Sequence, residues 1–291
     1  MSYSSVFRPN LFAGQTVIVT GGGSGIGRCT AHELAALGAE VALVGRNSEK
    51  LETVRAEIIE DGGNALSFVC DIRDEAAVIA TIDGVLAATG RIDGLVNNAG
   101  GQYRAAMKTI TTKGFEAVVS SNLTGGFIFM REVYTRWMER NGGAIVNMIA
   151  DISNGWPNFA HSGASRGGML TLSESAASEW AAAGVRVNTV APGAIASSGL
   201  DTYDAEHRGY IQHDIAREIP LQRFGTESEV AAAIVFLLSP AAAFITGSTV
   251  RIDGGAPNAR PIWGKLAESN KSEPFNGFHR ARPPEILANS G

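Results

Sequence analysis

Two stretches of this chain carry residue types whose spacing could do chemistry. The first is Thr20-Gly21-Gly22-Gly23-Ser24-Gly25-Ile26-Gly27, set between a β-branched run at Thr16 to Thr20 and apolar residues at helical spacing from Arg28 to Leu37. Glycines let the backbone approach a pyrophosphate, and a helix N-terminus offers unpaired N–H groups to its oxygens, so this strand-turn-helix reads as a dinucleotide site. NAD-binding folds of this kind place an acid about 20 residues beyond the glycines to hold the ribose hydroxyls. Gly45 stands there instead, followed by Arg46. A planar guanidinium matches a ribose 2′-phosphate, which favours NADP(H) over NAD(H); the other reading is a solvated arginine at a strand end. The second stretch is His161-Ser162-Gly163-Ala164-Ser165-Arg166, where Ser162 and Arg166 fall one helical turn apart on one face. Arg166 is a fixed cation near neutral pH and cannot serve there as a proton donor.

These residues need a frame, and the chain alternates strand and helix patterns to supply one. Strands are expected at Thr16–Thr20, Glu40–Val44, Ala65–Cys70, Gly94–Asn97, Ala144–Met148, Val185–Val190 and Thr249–Ile252. Helices are expected at about Arg28–Leu37, Ser48–Glu60, Asp74–Ala88, Lys113–Arg140, Ser162–Ala182 and Glu227–Leu238. Such alternation means an α/β fold with a Rossmann-type, doubly wound parallel sheet in a single domain, residues 1–255. The weakly periodic stretch 194–222 is long for a connection and is expected to be a substrate loop. Residues 256–291 hold four prolines (Pro257, Pro261, Pro283, Pro284) with scattered Trp263, Phe275 and Phe278, an irregular tail expected to drape over the domain or a neighbouring subunit.

Composition narrows the partners. At 291 residues and 45% hydrophobic, the chain can bury a large core, and its net charge of −5 argues against nucleic-acid or anionic-membrane surfaces. Small molecules are the expected partners. Cys29 and Cys70 are isolated and lack metal-ligand spacing, so they read as reduced core thiols, and no metal is expected. The N-terminus lacks a basic and an apolar signal region, and no run approaches 18 uninterrupted apolar residues; a soluble cytoplasmic protein is the expectation.

The glycine spacing Gly-x-x-x-Gly-x-Gly, Asn97-Asn98-Ala99-Gly100, Asp71, Asn122, Pro192-Gly193 and Asp253-Gly254-Gly255 occur in order. Together they resemble the short-chain dehydrogenase/reductase superfamily over roughly residues 12–256. The resemblance implies cofactor contacts from Gly21, Ser24, Gly25, Ile26, Gly27, Asn98, Ala99 and Gly100, adenine contact from Asp71, and a carboxamide grip from Ile195 and Ser197 behind Pro192-Gly193. Helix capping and turn formation are the plain alternatives for Asp71 and Pro192-Gly193.

Members of the superfamily carry a Ser, a Tyr, a Lys four residues after the Tyr, and an Asn that anchors a proton-relay water. Asn122 fits the last place, but Ser162 stands in the tyrosine place, Arg166 in the lysine place and Ile149 in the serine place. Arg166 would then bind the nicotinamide ribose or an enolate oxygen. The run His-Ser-Gly-Ala-Ser-Arg-Gly-Gly, Gly100-Gly101-Gln102, Asn122-Leu123-Thr124-Gly125 and Phe275 to Arg280 are similar to peroxisomal trans-2-enoyl-CoA reductases and bacterial relatives named citronellol or citronellal dehydrogenases. That branch implies hydride delivery to the β-carbon of an unsaturated acyl-CoA, which asks the protein to stabilise an enolate. Related dienoyl-CoA reductases supply the acid from a tyrosine eleven residues before the serine, where this chain has Asp151, either an acid or a hydrated loop carboxylate. The enoyl-CoA enzymes' tyrosine after the arginine is replaced by Leu170, leaving His161 and Tyr103 as further donors. Three functions stay open: an NADPH-dependent enoyl-thioester reductase, a terpenoid alcohol or aldehyde dehydrogenase, and a dinucleotide-binding protein without efficient redox chemistry. The resemblance also implies a homotetramer packed through the helices around Asn122 and Ser162.

Overall fold

β-branched and aliphatic runs with no polar face can only be satisfied inside a sheet covered on both sides, and that is what they form. The structure, a computed structural model, describes residues 2–203, 205–259, 264, 266, 267 and 271–288. Pro261 and Trp263 lie outside the described residues. In chain order, β1 (Thr16–Thr20), α1 (Gly25–Ala36), β2 (Glu40–Gly45), α2 (Ser48–Glu60), β3 (Asn64–Val69), α3 (Glu75–Thr89) and β4 (Gly94–Asn97) make the first half. The second half runs α4 (Thr112–Val119), α5 (Gly125–Val133), α6 (Glu139–Asn141), β5 (Gly143–Met148), α7 (Ala160–Glu179), β6 (Val185–Pro192), α8 (Ala205–His213), α9 (Ile215–Glu218), α10 (Glu227–Leu238), β7 (Thr249–Ile252) and α11 (Glu285–Ala288).

The strands form one parallel sheet in the order β3-β2-β1-β4-β5-β6-β7. The winding direction reverses between β1 and β4, and the crevice at their carboxyl ends is where a doubly wound fold binds its ligand. Two apolar clusters cover the two faces: Leu34, Val54 and Ile234 lie in one, Ile82, Phe129 and Val187 in the other. Both cysteines are buried and unpaired, as expected of core thiols.

The single long helix expected at Lys113–Arg140 is interrupted twice. A π-turn at Ser120–Thr124 separates α4 from α5, and a second at Tyr134–Met138 separates α5 from α6. Apolar periodicity does not register an extra residue in a turn, and π-turns concentrate at functional sites. Asn122 sits in the first of them. The substrate loop is also more ordered than its sequence pattern implied, holding a 3-10 turn at Ser198–Thr202 before α8 and α9.

The tail drapes over its own domain. Phe278 is buried against the rings of Tyr3 and His32, with the Arg28 guanidinium 4.8 Å from its centroid. Its N–H donates to Ser228 Oγ at 3.2 Å, and Arg280 pairs with Asp61 and Glu60 on the end of α2. Farther on, the Ile286 N–H donates to Asp201 Oδ1 at 2.9 Å and Gln212 Nε2 donates to the Ile286 carbonyl at 2.7 Å, so α11 rests on the substrate loop.

Candidate active site

A cavity of about 2280 Å³ opens at the carboxyl ends of the strands, large enough for a dinucleotide and a second molecule. Its first wall is the glycine turn. Gly21 (φ +67°) and Gly25 (φ +55°) adopt left-handed conformations that favour glycine, and a Cβ on Gly27 would collide with the Gly21 carbonyl. Thr20 Oγ1 accepts the N–H groups of Asn98 and Ala99 at 3.0 Å each, while Asn98 Nδ2 donates to the Thr20 carbonyl at 3.0 Å. The β4 exit is thereby tied to the turn. Ser24, the N-cap of α1, makes no side-chain cap, and the first turn of α1 holds no acidic residue. The helix dipole and its N–H groups are left open to an anion, which fits a pyrophosphate.

The second wall holds Arg166. Its Nη1 donates to the Met148 carbonyl at 2.5 Å, Nε lacks a hydrogen-bond partner, and it forms no carboxylate ion pair among the described residues. Burial pushes its guanidinium down to about 10, so it remains cationic at neutral pH. A buried cation without a counter-charge costs free energy unless a ligand supplies an oxygen, and this one borders the cavity. Asn122 spends its side chain otherwise: Nδ2 donates to the Gly101 carbonyl at 2.9 Å and Oδ1 accepts the Gly101 N–H at 2.8 Å. A Cβ on Gly100 would come 2.5 Å from Asn122 Oδ1 and 2.9 Å from Arg166 Nη2, so glycine lets the three groups close together.

The remaining space is lined by Trp156, Phe159, Tyr203, Tyr210, Ile211 and Ile215, with polar groups from Asp151, His207, Arg217 and Glu218 among them. Ile149 lines it where a serine was missing, with no hydroxyl to offer. Ser162 is fully buried and does not border the cavity; its Oγ donates to Gln102 Oε1 at 3.0 Å. Gln102 Nε2 in turn donates to Tyr203 Oη at 3.0 Å, and burial raises the Tyr203 phenol above its ordinary value. His161 is buried with Nδ1 accepting the Ser162 N–H at 2.9 Å, its ring 4.4 Å edge-on from Tyr103. Neither of that pair lines the cavity.

Of the residues singled out in the sequence, the cavity brings together Gly21, Ser24, Gly25, Ile26, Asn98, Ala99, Gly100, Asp151, Arg166, Pro192, Gly193, Ile195 and Ser197. Asp151 accepts the Ser153 N–H at 3.2 Å. Gly193 crosses so near Asp253 that a Cβ would lie 2.9 Å from its Cα. Gly27, Asn122 and Ser162 stand behind the wall as supports. Arg46 and Asp71 sit at the exits of β2 and β3, where Arg73 holds the Asp71 carboxyl down to about 2, assisted by the nearby Arg46 charge. Lys50, Gln102 and Tyr203 border the cavity without having been singled out as cofactor contacts or proton donors. The aromatic content of stretch 194–222 was the available signal for Tyr203; Lys50 had none beyond its position early in α2.

Residues 21–257 match the family model described as enoyl-(acyl carrier protein) reductase. The chain belongs to the short-chain dehydrogenase/reductase family. This short-chain dehydrogenase/reductase is 34% identical over 287 residues to a Danio rerio protein named peroxisomal 2,4-dienoyl-CoA reductase, covering 98% of this chain and 92% of that one. A solved structure named citronellol catabolism dehydrogenase, from Pseudomonas aeruginosa PAO1, superimposes with a TM-score of 0.79 at 56% identity, covering 87% of this chain and 99% of that one. A Beutenbergia cavernae structure with bound NADP at low occupancy superimposes with a TM-score of 0.80 at 34% identity, over 86% of this chain and all of that one. The chain is thus an oxidoreductase of this family. Among the described residues no helix is long and apolar enough to cross a membrane, and no His/Cys/Asp/Glu cluster could hold a metal ion.

Proposed function

We propose that this chain is an NADP(H)-dependent reductase of α,β-unsaturated acyl-CoA thioesters. The observation that carries the reading is Arg166: a buried guanidinium with a spare Nε, at the edge of a cavity with an aromatic and aliphatic wall, where the family pattern has lysine. Hydride addition to an enoyl β-carbon leaves an enolate, and a desolvated fixed cation stabilises that anion more than it stabilises the neutral substrate. The likeness to a dienoyl-CoA reductase along 98% of the chain, tail included, supports it.

The nicotinamide cofactor would supply the hydride. Gly21, Ser24, Gly25 and Ile26 would hold its pyrophosphate, Ile195 and Ser197 its carboxamide, and Arg46 the ribose 2′-phosphate, with Lys50 adding positive charge nearby. Trp156, Phe159 and Ile211 would exclude water from the acyl chain. A homotetramer is part of the reading, supported by Phe115 and Phe127, which leave large apolar side chains exposed on α4 and α5.

A second reading, dehydrogenation of acyclic terpenoid alcohols, is favoured by the 56% identity to the citronellol catabolism enzyme. One experiment separates them: nicotinamide absorbance is followed with NADPH and trans-2-enoyl-CoA thioesters, and in parallel with NADP and citronellol-type alcohols. Oxidation of NADPH by the thioesters supports the first reading. Turnover of the alcohols alone replaces it with the second, and tight NADPH binding without either reaction leaves a dinucleotide-binding protein.

A further inference from the structure

We infer that Tyr203, carried on the substrate loop, is the proton donor of this site, and that Gln102 and Ser162 are the residues that aim it. The inference rests on the reductase reading above and supplies the acid that the family pattern lacks here. The other candidates fit the role less well. The Ser162 hydroxyl hydrogen is committed to Gln102 Oε1, and Ser162 is fully buried. His161 has a buried Nε2 without a hydrogen-bond partner, but its ring accepts the Ser162 N–H, packs edge-on against Tyr103 and, like Tyr103, does not border the cavity; the Tyr103 hydroxyl closes over Gly114 on α4. Asp151 caps its own turn through the Ser153 N–H.

Tyr203 differs from all of these. It borders the cavity, and its Oη accepts from Gln102 Nε2 at 3.0 Å, which leaves the phenolic hydrogen free to point at a ligand. Phe159 lies edge-on 6.0 Å from its ring, His207 stands 5.3 Å away, and Arg208 Nε donates to its backbone carbonyl at 3.0 Å, so the ring has a fixed station. No carboxylate ion-pairs with or hydrogen-bonds to its hydroxyl among the described residues. The charged groups that border the same cavity are Lys50, Asp151, Arg166, Arg217 and Glu218, with His207 when protonated, and Asp201 and Arg208 lie beside Tyr203 on the loop.

A bound reduced nicotinamide would supply hydride to the enoyl β-carbon, and the double-bond electrons would move onto the thioester as an enolate held by Arg166. The Tyr203 O–H bond breaks, an α-carbon C–H bond forms, and the phenolate regains a proton from water at the cavity mouth. One hydride and one solvent proton are consumed per double bond.

The test compares wild type with Tyr203→Phe, which keeps the ring, and Gln102→Leu, which removes the aiming amide. General acid catalysis contributes about 10² to 10⁴ in rate, so Tyr203→Phe should lower kcat with trans-2-enoyl-CoA by at least about 100-fold while KM stays within about threefold. Gln102→Leu should lower kcat about tenfold and shift the alkaline limb of the pH profile, which a merely structural change would not move. Two readouts do not depend on turnover. NADPH affinity, followed by its fluorescence, should be unchanged in Tyr203→Phe. Ultraviolet difference titration should show one tyrosine, absent from that variant, ionising above the ordinary tyrosine value; ionisation below neutral pH would overturn the donor role. If wild type reduces enoyl-CoA and Tyr203→Phe keeps more than about a third of kcat, the donor role falls and the reductase reading stands. If wild type turns over only terpenoid alcohols, the reductase reading falls, and the same loss in Tyr203→Phe decides the acid-base role on that substrate. Turnover of neither class overturns both.

Discussion

Asn122 and Gly101 exchange two hydrogen bonds, Asn122 Nδ2 to the Gly101 carbonyl at 2.9 Å and the Gly101 N–H to Asn122 Oδ1 at 2.8 Å. Both ends of the amide are therefore engaged by backbone, which locks the segment after β4 onto the π-turn that carries Asn122. That lock sets Gly100 against Arg166 and so fixes where the cation stands.

Asn122→Ala leaves a donor and an acceptor of Gly101 without partners. Gly101 is itself exposed, so water takes over part of both bonds, and at a net worth of about 0.5–1.5 kcal/mol per hydrogen bond urea denaturation should show a loss of about 1–2 kcal/mol. A loss below about 0.5 kcal/mol would mean that the pair is decoration on an already rigid loop.

Arg166→Met preserves most of the side-chain volume and removes the cation. With an enoyl thioester kcat should fall about 10²- to 10³-fold, in line with the loss of one preorganised oxyanion contact. Arg166→Lys should recover only part of this, because an ammonium cannot hold the Met148 carbonyl and offer further donors in one plane. Equal activity in wild type and Arg166→Met under saturating NADPH and substrate would remove Arg166 from the chemistry.

Much of this frame was legible from the chain. The bounds of β1, α2, β4, α10 and β7 match those expected from β-branched runs and apolar spacing, and in the structure Asn47 and Thr226 cap the two helices. So did the glycine turn, since a Cβ at Gly27 is sterically impossible. The π-turns were not legible, because one extra residue per turn leaves the apolar stripe almost unchanged. The Ser162–Gln102–Tyr203 chain was not legible either: its members stand 60 and 101 residues apart along the sequence, and only the fold makes them neighbours.

Cofactor affinity should depend on pH through Glu227. Its carboxyl Oε1 lies 3.8 Å from where a Cβ on Gly25 would stand, and burial pushes it up to about 7 against the opposing effect of Arg28. A pyrophosphate beside Gly25 disfavours the carboxylate further, so binding takes up a proton and weakens as pH rises through about 7. NADH serves as the reporter, since it lacks a 2′-phosphate, a group whose second proton itself leaves near pH ~6. Its Kd should rise several-fold between about pH 6 and pH 8 in wild type and stay flat in Glu227→Gln. Parallel slopes in the two proteins would exclude Glu227 as the source.

Folding stability carries a separate pH signature from Glu33. This fully buried carboxyl accepts from Tyr3 Oη at 3.1 Å and Ser5 Oγ at 2.8 Å, and burial raises it from 4.5 to about 7. The folded state therefore holds a proton that the unfolded state has released. Its contribution is complete below about 4.5 and disappears as pH rises through about 7. His32, pushed down to about 4 by burial, acts in the opposite direction but only below 6.5. Between about pH 6.5 and pH 8, then, wild type should lose stability to urea and Glu33→Gln should lose less. An identical decline in both would assign the effect elsewhere.

Phe278 is the point at which the tail can be released. It is only 2% exposed, lies tilted 4.8 Å from the His32 ring and under the Arg28 guanidinium, which itself holds Glu57 through two 2.8 Å contacts. Phe278→Ala removes an aromatic ring from a closed pocket, a change worth about 3–5 kcal/mol when the site cannot collapse. The backbone bond from Phe278 to Ser228 is weak alone, so segment 271–288 should loosen before the sheet does, and limited proteolysis should cut there first. Because α11 meets the substrate loop through Ile286, Asp201 and Gln212, loosening should propagate to the wall that carries Tyr203. KM for the acyl substrate should then rise while NADPH affinity, set by the glycine turn at the other end of the cavity, stays within about twofold. Unchanged proteolysis in Phe278→Ala would show that the other contacts suffice to hold the tail, among them the Arg280 pairs with Asp61 and Glu60 and the Thr226 hydroxyl on the Phe275 carbonyl at 2.6 Å.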